Sequence, residues 1–373
     1  MPKPDVIVGA GIVGLAHAYA LAKRGRKVLV LERSGRAEGA SVRNFGMVWP
    51  IGQPVAMREI AVRSRELWLE ILQAAGIWHR QTGSLHLSYR DDETQVLQEF
   101  VAKGPALGYD VSFISPDEVA RLSPVVRPEG LQGGMWSELE VCVNPRTTLA
   151  KVPEFLAKEL GVEFRFGQAV TSAEAGRVVV DGRTIEAENI VLCTGSDFET
   201  LFPSQLSALG LVKTKLQMLK ASFLEPGTDL GTHLCAGLTL PHYANFGICD
   251  SLAALKARIA DEQPETVEWG VHILVSQHED GLLSIGDSHE YGDFPFFNRE
   301  SVDELILRHL NQFLPVETLE IQQRWHGVYA KHPTKPYIFT EPTPGVHAVI
   351  GVGGAGMTLS FGLAHHLVDQ ILS

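Results

Sequence analysis

The sequence predicts an α/β domain with a parallel sheet, built from both ends of the chain and interrupted by a β-rich α+β domain. Three observations carry this. A strand–glycine turn–helix–strand pattern opens the chain. A strand–glycine turn–helix pattern closes it. Between them, residues 212–288 alternate apolar and polar side chains between turn signals, the pattern of an antiparallel sheet. A domain assembled from both chain ends implies an inserted second one.

Taken in order, residues 5–8 are a short β-branched run, and residues 9–14 are a glycine turn. Residues 15–24 are Ala- and Leu-rich and helical, ending at Gly25. Residues 27–31 form a second β run that closes on Glu32. Amphipathic spacing predicts helices over 57–75 and 146–160. Strands are expected near 162–166, 177–180 and 189–193, the last closing on Thr194-Gly195. A helix follows over 301–313, then a strand over 347–350, a glycine turn over 351–356 and a final helix over 358–372. No internal repeat, low-complexity tract or long linker interrupts this order.

The 373 residues suffice for two domains. A composition 45% hydrophobic and 20% charged is globular and excludes a mainly disordered chain. The net charge of −12, with no basic run, argues against a nucleic-acid partner. It leaves an anionic small molecule open, because a site needs only a few local cations. Four cysteines without CxxC spacing read as reduced thiols, with neither a disulfide frame nor a metal site. No apolar stretch reaches a membrane span or a signal h-region, so a soluble, cytoplasmic protein is expected, with no membrane partner.

Gly9-x-Gly11-x-x-Gly14 sits between a strand and a helix, and Glu32 closes the next strand 18 positions after Gly14. Each part has a physical use. The first glycine allows the tight turn, the second lets the backbone approach a pyrophosphate, and the third lets helix and strand pack closely. The helix N-terminus offers N–H groups and a positive dipole end to phosphates, and Glu32 offers acceptors to ribose hydroxyls. The second turn, Gly351-x-Gly353-Gly354-x-Gly356, lacks a following strand and acidic residue. It reads instead as a helix N-terminus set against a cofactor ring, where its dipole stabilises negative charge.

Three separated segments resemble one family. Residues 9–32 are similar to its FAD fingerprint. Gly39-Ala40-Ser41-Val42-Arg43-Asn44-Phe45-Gly46-Met47 is similar to the segment running beside pyrophosphate and isoalloxazine. Gly353-Gly354-Ala355-Gly356-Met357-Thr358 resembles its closing flavin-contact turn, and Cys193-Thr194-Gly195 its strand-end turn. The family is the D-amino-acid oxidase superfamily of FAD-dependent oxidoreductases, in its glycine/sarcosine oxidase-like branch. The resemblance implies an α/β FAD-binding (Rossmann-like) domain plus an interleaved α+β substrate domain with a large antiparallel sheet. We expect the first over 1–85, 140–211 and 325–373, and the second over 86–139 and 212–324. It also implies C–N oxidation by hydride transfer to flavin N5, with dioxygen as the usual acceptor. Matched to its motifs, the FAD contacts are Gly9, Gly11, Val13, Gly14, Glu32, Arg33, Ser41, Arg43, Asn44, Gly46, Met47, Thr194, Gly195, Gly354, Gly356, Met357 and Thr358. Val170 stands where relatives touch adenine through the backbone. Asn44 and Gly327 stand where some relatives carry the histidine or cysteine that bonds flavin covalently, so noncovalent FAD is expected.

The departures from the family bear on substrate. Tyr329 occupies the place of the arginine that clamps an α-carboxylate, and Met357-Thr358 replaces a lysine that does so elsewhere. Lys331 and His332 are new cations close by, and Lys213 and Lys215 lie in a strand resembling another family segment. Lysine suits a tetrahedral anion. The tract Gly286-Asp287-Ser288-His289-Glu290 and residues 327–332 resemble a subfamily associated with aminophosphonate breakdown. The expected substrate is therefore a small anionic amine, 2-aminoethylphosphonate or its N-methyl derivative. Tyr243, His289, Tyr329, Lys331 and His332 are the candidate catalytic residues, with His242 beside Tyr243 as a further wall candidate. Three alternatives remain: a glycine/sarcosine-type amino-acid oxidase, a glycerol-phosphate-type flavin dehydrogenase, and a flavin-binding protein without turnover. The oligomeric state is not legible.

Overall fold

A computed structural model describes residues 2–292, 294 and 296–373. Its central sheet has six strands, in the order Ile338–Thr343, Val346–Ile350, Ile190–Leu192, β1 (Asp5–Val8), β2 (Val28–Glu32) and Glu163–Phe166. Every pairing except the edge hairpin 338–350 is parallel. Such strands are covered on both faces, which is why Val6–Val8 of β1 and Ile190–Leu192 read as apolar runs and are wholly buried. The expected strands at both chain ends thus join one sheet, on either side of Ile190–Leu192. The sequence did not reveal the hairpin strand Ile338–Thr343, whose apolar residues are too few to mark it.

The helix α1 (Ile12–Ala22) follows β1 and is buried through most of its length. It has no polar face because the terminal helix Gly356–Ile371 and the helix Pro145–Leu160 pack over it, in one continuous core. Asp5 is fully buried and binds Arg26 through two oxygens, at 2.7 and 2.9 Å, and the Asn189 amide at 2.8 Å. One carboxylate so ties together the segments entering three adjacent strands.

The middle of the chain forms the expected antiparallel sheet, which holds nine strands. Its spine is the pair Val212–Phe223 and Leu319–Lys331, antiparallel along their full length, with Thr214 opposite Tyr329. The sheet also takes in Ser84–Ser88, which runs parallel to His233–Cys235, and Gly133–Ser137. Among the described residues, all four cysteines are free and buried, and no helix is long and apolar enough to cross a membrane.

Candidate active site

One large cavity, about 410 Å³, lies between the two sheets. At one end its wall is the turn after β1. A side-chain carbon on Gly14 would fall 2.0 Å from the Gly9 carbonyl oxygen, and one on Gly9, at φ +107°, would fall 2.4 Å from that of Cys193. The turn therefore closes only with glycine at both positions. Ser41 Oγ accepts from the Ile12 N–H at 2.9 Å, joining the second motif segment to the first helix turn. Glu32 accepts from the N–H groups of Ala10 (2.8 Å) and Ser34 (3.0 Å), which fixes its carboxylate at the mouth of the turn.

Asn44 folds the 40–46 loop. Its amide donates to the carbonyls of Ala40 and Ser41, and its Oδ1 accepts from Gly46 N–H at 2.8 Å. Gly46 has φ +72°, and a side chain there would strike the Val143 carbonyl. Arg43 donates to the carbonyls of Glu38 and His326. On the opposite wall, Thr358 Oγ1 accepts from Trp49 N–H, and Trp68 donates to the Met357 carbonyl, so the start of the terminal helix is pinned beside Met47 and Trp49.

Of the expected flavin contacts, Gly11, Val13, Ser41, Arg43, Asn44 and Met47 line the cavity. So do Gly195, Gly354, Gly356, Met357 and Thr358. Gly9, Gly14, Gly46 and Thr194 lie behind the wall and shape it. Glu32, Arg33 and Val170 stand off the cavity: Arg33 pairs with Asp197 at the surface, and Val170 is a buried strand residue.

These residues fit FAD. The N-termini of α1 and of the terminal helix both open onto the cavity, presenting N–H donors and positive dipole ends. Between them the wall is backbone at Gly353, Gly354 and Gly356 and apolar at Leu216, Met218, Leu274 and Ile350, which suits a flat ring system.

The other end of the cavity holds the polar cluster. Tyr243, His289, Tyr329, Lys331 and His332, drawn from three separate stretches of chain, all line it. His289 Nε2 is 2.8 Å from the Tyr329 hydroxyl. His242 stacks on His272, with ring centroids 3.6 Å apart, and lies 4.6 Å from His289. Asp287 Oδ1 is 3.3 Å from His272 Nε2 and 3.9 Å from His289 Nδ1. Burial holds His272 and His289 neutral, with His289 down at about 4, and pushes the Asp287 carboxyl far above its usual range. Burial also raises the Tyr243 and Tyr329 hydroxyls and lowers the Lys331 ammonium.

Lys331 is half-buried, its Nζ 4.8 Å from the Tyr291 ring, and makes no ion pair among the described residues. His332 Nδ1 accepts from the N–H groups of Thr334 and Lys335, so its proton sits on Nε2. The two other expected cations lie elsewhere. Leu216 and Met218 face the cavity, so the period of two turns Lys213 and Lys215 away from it. Lys215 is buried against Glu290 and the Phe297 carbonyl, and Lys213 pairs with Glu199. His272 and Asp287 were not singled out by sequence. His272 stands in no motif and Asp287 only inside the tract 286–290, and the pairing of Leu274–Gln277 with Leu283–Gly286 brings the two together.

A dinucleotide cradle joined to a polar pocket is the layout of a dinucleotide-dependent oxidoreductase. The chain belongs to the DAO family, FAD dependent oxidoreductase, which matches residues 6–370. It is 31% identical over 244 residues to the bifunctional protein ThiO/ThiG of Trichormus variabilis, a stretch spanning 62% of this chain and 36% of that protein. Among solved structures, L-proline dehydrogenase from P. horikoshii superposes with a TM-score of 0.80 at 18% identity, covering 99% of this chain and 94% of that one. Glycine oxidase from Bacillus cereus superposes with a TM-score of 0.79 at 18% identity, covering 100% and 95%. The cofactor is FAD.

Proposed function

We propose that the protein oxidises the C–N bond of a small anionic amine, 2-aminoethylphosphonate or its N-methyl derivative, with dioxygen taking the electrons. The observation that carries this reading is the Lys331 ammonium, half-buried in the cavity wall with no counter-ion among the described residues. A desolvated cation of that kind is costly unless a ligand supplies the anion. His332 Nε2–H and the Lys335 ammonium stand on the same wall. A tetrahedral dianion meets such point-charge donors better than a planar carboxylate does, for which a forked arginine is the usual partner.

Bound FAD supplies the hydride acceptor and later passes the electrons on. The chain's residues do the rest. Lys331 and His332 hold the anion, the Tyr243, His289 and Tyr329 side chains face the amine, and the apolar wall excludes water. The imine product hydrolyses to an aldehyde with ammonia or methylamine. In this reading, residues 1–85, 140–211 and 325–373 hold FAD and residues 86–139 and 212–324 complete the substrate side, with the strand Leu319–Lys331 crossing that boundary and carrying Tyr329 and Lys331 to the substrate. Asn44 and Gly327 offer no nucleophile at the two places where relatives attach flavin, so FAD is held noncovalently and acid precipitation should release it.

The test is anaerobic reduction of the purified yellow holoprotein, followed by its flavin absorbance. The panel is 2-aminoethylphosphonate, its N-methyl form, glycine, sarcosine and glycerol 3-phosphate. Bleaching by the phosphonates, with an aldehyde product, is expected. Bleaching by glycine or sarcosine alone would restore the amino-acid oxidase reading, and a ketone from glycerol 3-phosphate the alcohol dehydrogenase one. Peroxide release in air checks the acceptor.

A further inference from the structure

We propose that Tyr329 and His289 form a proton relay that deprotonates the substrate ammonium before its C–N bond is oxidised, an inference that rests on the amine reading above. The hydrogen-bond directions carry it. His289 Nδ1 lies 3.3 Å from the Gly270 carbonyl oxygen, which only accepts. Nδ1 must therefore bear the ring proton, and Nε2 is a bare lone pair. The Tyr329 hydroxyl, 2.8 Å from Nε2, is then the donor in that bond. Its oxygen lone pairs remain for a donor arriving in the cavity. Tyr329 in this state cannot give its proton to a phosphonate, but it can take one from an ammonium.

The step balances without electron transfer. One ammonium N–H bond breaks and its proton moves to Tyr329 Oη. The original hydroxyl proton moves to His289 Nε2. The result is a neutral amine, a neutral tyrosine and an imidazolium. The groups facing that imidazolium are Asp287 (3.9 Å), the rings of His242 (4.6 Å), His272 (5.1 Å), Tyr291 and Tyr329, and Lys331. Burial and the Lys331 charge keep His289 unprotonated at neutral pH, so the base arrives empty. The same desolvation lowers the pKa of an ammonium bound beside it. An anion seated on Lys331 cancels the repulsion that opposes the imidazolium. Anion binding and proton removal are thus coupled: an amine without the anionic group loses its proton less readily here.

Two measurements test this. In the ¹⁵N spectrum of the holoenzyme, the His289 resonances are identified by their loss in His289→Gln. They should report the Nδ1–H tautomer, and an Nε2–H tautomer would overturn the relay. Anaerobic flavin reduction by N-methyl-2-aminoethylphosphonate is then followed from about pH 6 to about pH 10 in wild type and Tyr329→Phe. With the relay gone, reduction at neutral pH should slow about 10²-fold or more and recover about tenfold per pH unit toward the substrate's own pKa. A variant slowed equally at every pH, or not slowed, overturns the proposal. If no amine reduces the wild-type flavin, the amine reading itself fails. If wild type is reduced and Tyr329→Phe keeps its pH profile, the relay alone fails. Retained yellow colour and melting temperature show that each variant is folded.

Discussion

At the scale of single residues, Lys331 and Tyr329 share one strand face and divide the substrate's charges between them. Lys331 makes no ion pair among the described residues, only the contact with the Tyr291 ring, so replacing it should harm binding more than folding. Lys331→Met should lower kcat/KM for a phosphonate amine about 10- to 100-fold, the value of one charge-assisted hydrogen bond, mostly through KM. Steady-state kinetics beside an uncharged amine check this, since the uncharged amine should be nearly indifferent. The pH dependence has a definite sign. Burial lowers the Lys331 pKa, and only the protonated form binds the anion, so anion affinity should fall on the alkaline side earlier than an exposed lysine would allow. That Tyr243, His289, Tyr329, Lys331 and His332 share one cavity was legible because the last three flank a recognisable strand and turn. Lys215 was misread because its charge was counted without its strand parity. Leu216 and Met218 face the cavity, so Lys215 cannot.

At the scale of elements, the glycine turn and the buried Asp5 bond do separate jobs and should fail separately. Gly14→Ala places a carbon about 2.0 Å from a backbone oxygen in the turn that receives the pyrophosphate. Its expected outcome is loss of bound FAD from the purified protein, read as the ratio of flavin to protein absorbance. A fold cost of about 1–3 kcal/mol accompanies it. Asp5 is far from substrate, and Asp5→Ala should leave the reduction rate of bound flavin unchanged. It removes one partner of a buried ion pair, so about 3–5 kcal/mol is the upper range of the loss, reduced because Arg26 is partly exposed. Urea unfolding measures it. The elements themselves were largely readable. The helices 58–74 and 145–160 and the parallel strands matched their apolar patterns to within a few residues. The sheet orders were not readable, because pairs such as Ser84–Ser88 with His233–Cys235 join segments about 150 positions apart and nothing local specifies them.

At the scale of the whole molecule, the distribution of buried histidines sets how the protein meets acid. His17, His86 and His233 are buried outside the polar end of the cavity, and desolvation lowers each of them, to about 4, about 3 and about 3. His86 is enclosed by the rings of Trp49 and Phe246, and neither of its nitrogens has a partner among the described residues. In the unfolded chain each titrates at the ordinary value near 6.5. Between that value and the folded one, the unfolded state binds more protons, so stability rises with pH. The full contribution is present above about pH 6.5 and drains away as pH falls through the window toward about 3–4. Urea midpoints of the holoprotein should therefore drop steeply from about pH 7 to about pH 5. His86→Leu removes one proton from the difference without leaving a buried polar group unmet. It should reduce that slope by up to about 1.4 kcal/mol per pH unit while leaving stability at about pH 7 intact or improved. An unchanged slope in His86→Leu would mean that the unfolding transition does not expose this ring, and that the core around Trp49 and Phe246 persists through it.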